Sequence, residues 1–153
     1  MIRKPMVPLN FFLLFATLLL LQFGCGEAVM DEKQALRVLS EFYEDNVPEP
    51  VMDRRLLSAG KGIVPYVIKE IQRKDMPKRR YAISALGKIG DRLALPALVK
   101  ILEDKSEADL FRGDALTAIW RLDRNLGEQL AKKYSGESPY IDRVIQLLAE
   151  GKI

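Results

Sequence analysis

The side chains able to do chemistry are few. The 153 residues include no histidine, and Cys25 is the single thiol. Without an imidazole no Ser–His–Asp or Cys–His arrangement can form. Without a second cysteine there is neither an internal disulfide nor a zinc site of His/Cys type. Carboxylates and cations remain. Pairs such as Glu49/Asp53 and Glu103/Asp104 have no apolar or aromatic enclosure in sequence to push one pKa away from the other, so they read as surface. The run Lys69, Arg73, Lys74, Lys78, Arg79, Arg80 has the composition to grip phosphates or anionic headgroups. Glu70 and Asp75 interrupt it, however, and it reads as a solvated face with structural pairs. The residues imply a chain that is not an enzyme, with no metal and no cofactor. Trp120 stays open to two readings, an anchor for a partner or an indole filling space in the core.

Cys25 gains meaning from what precedes it. Met1 to Gly24 carries Arg3 and Lys4 but no acid, followed by an apolar run from Phe11 to Leu21 broken only by Thr17. That is the order of a secretory signal, and Pro5, Pro8, Asn10 and Gln22 leave the run short of the roughly 20 apolar residues of a membrane span. The end of the run, LLLLQFGCG, resembles a bacterial lipoprotein signal, in which a cysteine after a small residue becomes the acylated first residue of the mature chain. Gly24 is that small residue, while Leu21 stands one place earlier than the pattern has it. Ordinary cleavage after Cys25-Gly26 or Glu27-Ala28 is the competing route. The expected organisation is a leader at 1–24, a short tether at 25–30 and one domain at 31–153. Cys25 would be lipidated in an exported protein of the periplasm or outer membrane, and the absence of an aspartate after the cysteine favours the outer membrane by the same resemblance.

Charge then loses its first meaning. The chain has 24 basic and 21 acidic residues; removing residues 1–24 takes two basic residues and no acid, leaving 22 against 21 and a net charge of +1. A pI near 9.0 would point to nucleic acid, but a near-neutral mature domain implies no nucleic-acid partner.

The elements that must position all of this are helices. Ile83, Leu86 and Ile89 recur at three-residue steps from Arg80, with Ala82 and Ala85 beside them, which is one helical face. Pro77 suits the first turn of that helix. Gly87 and Gly90 weaken and end it, and Asp91 is placed to cap the next, whose stripe is Leu95, Leu98, Val99 and Leu102. Copies flank the pair. Pro65 and Pro96 are 31 residues apart, and Ile71 falls on Leu102 at the same offset; Ala115, Ala118, Ile119 and Leu122 fall on Ala82, Ala85, Leu86 and Ile89 at an offset of 33. There Trp120 stands at the position of Gly87, Asp123 at that of Gly90 and Arg124 at that of Asp91. Terminal repeats are expected to be atypical because they cap the stack. An N-terminal helix spans Asp31 to Asp45 with Leu36, Leu39, Phe42 and Tyr43 on one face. A short helix spans Val51 to Ala59, and Ser138-Pro139 opens a last helix with Ile141, Val144, Ile145 and Leu148 inward.

The stretch ALGKIGDRLALPALVKIL resembles the HEAT-like repeat of the bilin-lyase type, whose pattern runs R-x-A-A-x-A-L-G-x-I-G-D and then V-P-x-L. Arg80, Ala82, Ala85, Leu86, Gly87, Ile89, Gly90, Asp91, Pro96 and Leu98 carry the match. The resemblance implies an all-α solenoid of stacked helical hairpins, about eight helices in all. It also implies polar ladders between repeats that engage Arg80, Asp91 and Arg112. Such stacks work by offering surface, so the expected function is a non-enzymatic protein-interaction module with a protein partner, attached to the membrane through Cys25. A structural envelope lipoprotein without a dedicated ligand and a bilin-lyase-like enzyme are the rival readings.

Overall fold

The computed structural model describes residues 30–49 and 51–153; the leader and Cys25 lie outside the described residues. Among the described residues there are helices and no strand, and no helix is long and apolar enough to cross a membrane.

Helix α1 spans Glu32–Glu44. Asp31 Oδ1 accepts the Gln34 N–H at 2.8 Å, satisfying a backbone donor that the first turn leaves unpaired. Its buried face is Ala35, Leu39 and Phe42, with Tyr43 half-buried. Leu36, expected on that face, is 57 % exposed: Ala35 sets the phase one residue earlier. The next helix begins at Arg54 and not at Val51, because Val51 to Asp53 form a turn in which the Arg54 N–H reaches the Val51 carbonyl at 3.1 Å. Helix α2 (Arg54–Ala59) bends at Gly60 (φ 64°) and passes through a 3-10 turn into α3 (Val64–Glu70).

Helix α4 spans Arg79–Ile89, and Gly90 ends it in the left-handed conformation, φ 82°. Its start differs from expectation. Pro77 lies before the helix, because Lys78 adopts φ 55° and breaks the backbone there. A non-glycine residue seldom holds this geometry; here Lys78 Nζ donates to the carbonyls of Phe42 (3.0 Å) and Asp45. Asp91 Oδ1 then accepts the Leu93 N–H at 2.9 Å and opens a 3-10 turn (Arg92–Ala94) that runs into α5 (Leu95–Glu103), with Pro96 in its first turn. In α5 the fully buried residues are Leu98 and Leu102, with Ala97 and Ile101 beside them, whereas Leu95 and Val99 are only half-buried.

Helix α6 (Asp109–Leu122) joins α7 (Arg124–Tyr134) through a single residue. Asp123 closes the first and caps the second, its Oδ1 accepting the Leu126 N–H at 3.0 Å. The aspartate role that alignment gives to Arg124 is thus filled one residue earlier, in a shorter turn. Ser138 Oγ caps α8 (Pro139–Ala149) through the Ile141 N–H at 3.2 Å.

The helices stack in two layers. In one, α2 packs on α4, α4 on α6 and α6 on α8; α3, α5 and α7 form the other, and α6 touches α4, α5, α7 and α8. Leu86, Leu98, Leu116 and Ile119 are fully buried in one core. Small residues set the spacing, since close helix packing follows from what stands at the contact. A Cβ on Gly87 would lie 2.7 Å from Ala118 Cα, and one on Gly113 2.8 Å from the Tyr140 ring. Helix propensity favours alanine over glycine by about 1 kcal/mol, yet Gly87→Ala should destabilise the protein by about 1–3 kcal/mol, because backbone must move to admit the methyl. Leu98→Ala should cost about 2–5 kcal/mol by opening a cavity. Denaturant melts of both variants measure this; a Gly87→Ala variant as stable as the parent would show that α4 and α6 do not meet at this point.

Candidate functional site

Two buried arginines organise the stack. Arg79 is 3 % and Arg112 5 % exposed, and they are 33 residues apart. Arg79 Nε donates to the Ile71 carbonyl at 2.7 Å at the end of α3, and its two terminal nitrogens hold the Glu107 carboxylate at 2.9 and 2.8 Å. Its guanidinium lies 5.0 Å from the centre of the Phe111 ring. Arg112 repeats the arrangement: Nε to the Leu102 carbonyl at 2.9 Å at the end of α5, one terminal nitrogen to Asp109 at 3.2 Å, the other to Glu137, and the guanidinium 5.6 Å from the Tyr134 ring. The last carbonyls of a helix have no partner within it and carry partial negative charge, so a buried guanidinium with five donors fits there. Each arginine therefore ties one helix end to the next helix and to the acid in the loop beyond.

Beside this buried ladder Arg80 links adjacent repeats, as the resemblance implies, through Asp114 and not through Asp91. Arg80 is half-exposed at its side chain and holds Asp114 at 3.0 Å; Arg79 takes the position equivalent to Arg112. Asp91 caps the 3-10 turn and neither arginine reaches it, since Arg80 and Arg112 are engaged elsewhere. A second set of pairs joins the turns, Lys88 to Asp53 at 2.5 Å and Arg92 to Asp123. Asp53, expected at the surface, is only 4 % exposed. The basic run is dispersed by the fold: Arg73 meets Glu70, Lys74 meets Asp104, and Lys78, Arg79 and Arg80 are held as described.

Trp120 is 9 % exposed and does two things at once. It packs on α7 so closely that a Cβ on Gly127 would lie 2.7 Å from its Cα, with the Arg124 guanidinium 4.2 Å from its ring centre. Where Gly87 lets α4 approach Ala118 of α6, Gly127 of α7 does the same at Trp120, the glycine now standing on the other helix of the contact. Beside it lies a groove of about 370 Å³, lined by Trp120, Ala131, Ile145 and Ala149 and rimmed by Arg124, Glu128 and Lys132. On the opposite layer a polar hollow of about 190 Å³ lies among Asp53, Arg80, Tyr81, Ser84, Lys88 and Asp114; burial pushes the Asp114 carboxyl up, against the pull of Arg80. Among the described residues no His, Cys, Asp or Glu cluster is arranged to hold a metal ion.

Replacing a partner in a buried pair strands the other charge, which costs about 3–5 kcal/mol, whereas an exposed pair contributes about 0–1 kcal/mol. Arg79→Ala should therefore lower the unfolding free energy by several times the loss from Arg80→Ala; equal losses in denaturant melts would refute the assignment of the ladder to Arg79. Acid should act on the same contacts. The Leu126 N–H and Arg92 lower the Asp123 pKa, Arg112 and Lys105 that of Glu137, and the Ser106 hydroxyl and Lys74 hold Asp104 well below the usual carboxylate range. Groups depressed in the folded state lend stability above their unfolded pKa and lose it as pH falls through the folded one. Asp114, raised by burial, has the opposite sign. Lys152 and Gln146 likewise lower Glu150; with four depressed carboxylates against one raised, the melting temperature should fall as pH drops from about 5 to about 2, and a flat or rising profile in thermal melts would contradict this.

Residues 78–104 match the family model of the PBS lyase HEAT-like repeat. No curated protein and no solved structure matches the chain. The matched residues are α4, the Gly90-Asp91 turn and α5, the pair that the flanking helices copy. The chain carries a HEAT-like repeat of this type at the centre of an all-helical stack.

Proposed function

We propose that the protein is a non-enzymatic interaction module that binds another protein at the cell envelope, exported by its leader and held there by lipid on Cys25. The observation that carries the reading is the use to which the buried charges are put: Asp53, Arg79 and Arg112 are all engaged in contacts between helices. The interior chemistry of this fold serves to keep helices in register, and the surfaces of the layers are what the stack has to offer a partner. Trp120, with its edge on the groove beside Ile145 and Ala149, is the residue by which a partner side chain would be gripped, since aromatic residues in pockets dominate such contacts. The leader supports export through its basic start and apolar run, and acyl chains on Cys25 would supply membrane affinity of about 0.8 kcal/mol per buried methylene.

Two measurements test the two halves. Radioactive palmitate should label the wild type and not Cys25→Ser; label in both, or in neither, rejects the anchor. Crosslinking in envelope fractions should capture a protein partner with the wild type, and lose it with Ala149→Arg, which fills the groove from an exposed position. Capture that survives Ala149→Arg would remove the groove from the interface, and failure to capture any protein would leave the structural-lipoprotein reading in its place.

A further inference from the structure

We infer that α1 of a second copy of the chain docks, end to end, in the groove between α7 and α8 beside Trp120. The inference rests on the reading of that groove as a docking surface and names its occupant.

The order of the layers shapes the two ends of the stack. Helices alternate between layers in chain order, and α1 falls with α3, α5 and α7. Arg55 at the start of α2 holds Glu41 (3.3 Å) and Asp45 (3.1 Å) at the end of α1, and the Tyr43 hydroxyl donates to Glu70 at the end of α3 at 2.8 Å. Lys78 and Arg79, adjacent in sequence, donate to terminal carbonyls of α1 and α3, Phe42 at 3.0 Å and Ile71 at 2.7 Å. These two helices therefore run side by side in one direction with their ends level. Lys133 of α7 reaches Glu103 at the end of α5 at 3.0 Å, which levels that pair in the same way. At the far end α8 packs on α6 as α6 does on α4. Among the described residues the stack thus opens on a helix of one layer, α1, and closes on a helix of the other, α8. Each end is half a repeat, and end to end the two complete one. The place where they would meet is the groove, walled by Arg124, Glu128, Ala131 and Ser135 along α7 and by Ile145 and Ala149 on α8.

The exposed side of α1 fits that groove in shape and charge. Its core face is Ala35, Leu39 and Phe42, while Leu36 stands out at 57 % exposure. Glu44, eight residues further on, is exposed and accepts only the Ser40 hydroxyl. In the groove Lys132 is exposed with no carboxylate among the described residues, and Arg124, eight residues before it, is held by Glu128 at 2.8 Å. Eight residues of helix rise about 12 Å, so the two spacings agree. Set parallel to α7 with its end level, α1 of a second copy puts Leu36 against Trp120 and Ala149 while Glu44 meets Lys132. The neighbouring charges do not oppose this: Arg37 is held by Glu41 at 3.0 Å, Glu150 by Lys152 at 2.7 Å, and Glu32 offsets Lys33. At the offset of 33, Glu128, Ala131 and Lys132 of α7 stand where α5 has Leu95, Leu98 and Val99. A polar rim around a small apolar centre suits a contact formed between folded copies, with complementary charge setting its register. The interface is heterologous, so repeating it gives rows or rings of copies.

The test uses the full chain, first in membranes and then in detergent. Oxidation of membranes that hold Leu36→Cys and Ala149→Cys chains together should give a dimer in which mass spectrometry finds positions 36 and 149 joined; neither variant alone should form it. In detergent, sedimentation velocity should show self-association that rises with protein concentration. Lys132→Glu and Glu44→Lys should each weaken it by roughly five-fold, and the doubly reversed chain should recover most of the loss. Both positions are exposed, so the reversals leave the core untouched. A chain that stays monomeric and gives no mixed disulfide overturns the inference. Envelope capture of a different protein that Ala149→Arg abolishes would then keep the groove as a docking surface, and no such capture would remove both readings. Disulfides within one variant in place of the mixed one, or self-association unmoved by the reversals, overturn it in favour of an interface elsewhere on the chain.

Discussion

The C-terminal carbonyls of α3 and α5 set the terms for the rest of the structure. A helix end leaves its last carbonyls without internal partners, and in a stack of short helices such ends come up every repeat, against neighbours that exclude water. Arg79 and Arg112 answer this twice in the same way, donating to Ile71 and Leu102 while Glu107 and Glu137 take the remaining donors. A guanidinium suits the task because it is planar, always charged and rich in donors; a lysine at either position would offer one flexible point charge. The aromatic rings of Phe111 and Tyr134 lie against the two guanidinium groups, so each cation is enclosed on the side that the carbonyl and carboxylate do not cover.

Such a contact is stronger as a specification than as a source of net stability, because desolvating two charges consumes much of what their attraction returns. Arg79 touches the end of α3, the loop before α6 and the first turn of α6 itself. A slip of any one of these by a residue would strand a guanidinium or a carboxylate in the core. The apolar contacts alone discriminate less: leucine and isoleucine stripes accept small shifts, and Gly87 against Ala118 is one close approach between smooth surfaces. Register comes from the polar ladder and cohesion from the leucines.

Helix identity and two of the caps were legible in the sequence because both depend on residues close in the chain. Asp91 and Ser138 cap where short-range pattern puts them, and Leu86, Leu98, Ile141 and Leu148 are buried as their spacing implies. The differences arise where a distant contact decides. Arg79 and Arg80 are neighbours of one type, and the local match favours Arg80; the offset of 33 from Arg112 points to Arg79, and only the depth of the Ile71 carbonyl chooses between them. Pro77 fails to start α4 because Lys78 is drawn back to carbonyls at the end of α1, more than thirty residues earlier in sequence. Asp53 is buried by its pairing with Lys88, 35 residues away, and Leu36 is exposed because Ala35 supplies the closer fit to the core. The leader and Cys25, read wholly from sequence, lie outside the described residues.

The same ladder decides which residues are left to form the surface. Where an arginine is drawn inward to a helix end and an acid follows it, both are removed from the surface, and what remains outside is set by residues the repeat leaves unconstrained. On the α2–α4–α6 layer some of those residues pair across adjacent helices, Lys88 with Asp53 and Arg80 with Asp114, while Arg54 and Arg121 are exposed and make no ion pair among the described residues. On the α3–α5–α7 layer the equivalent outward position is lysine in three successive helices, and the one carboxylate between them, Glu103, accounts for a single lysine. Both layers thus keep exposed cations that the ladder does not engage. Docking responds to how such charges are distributed rather than to their total, and the ladder, by fixing only the buried charges, leaves the outward ones to be set by whatever each surface meets.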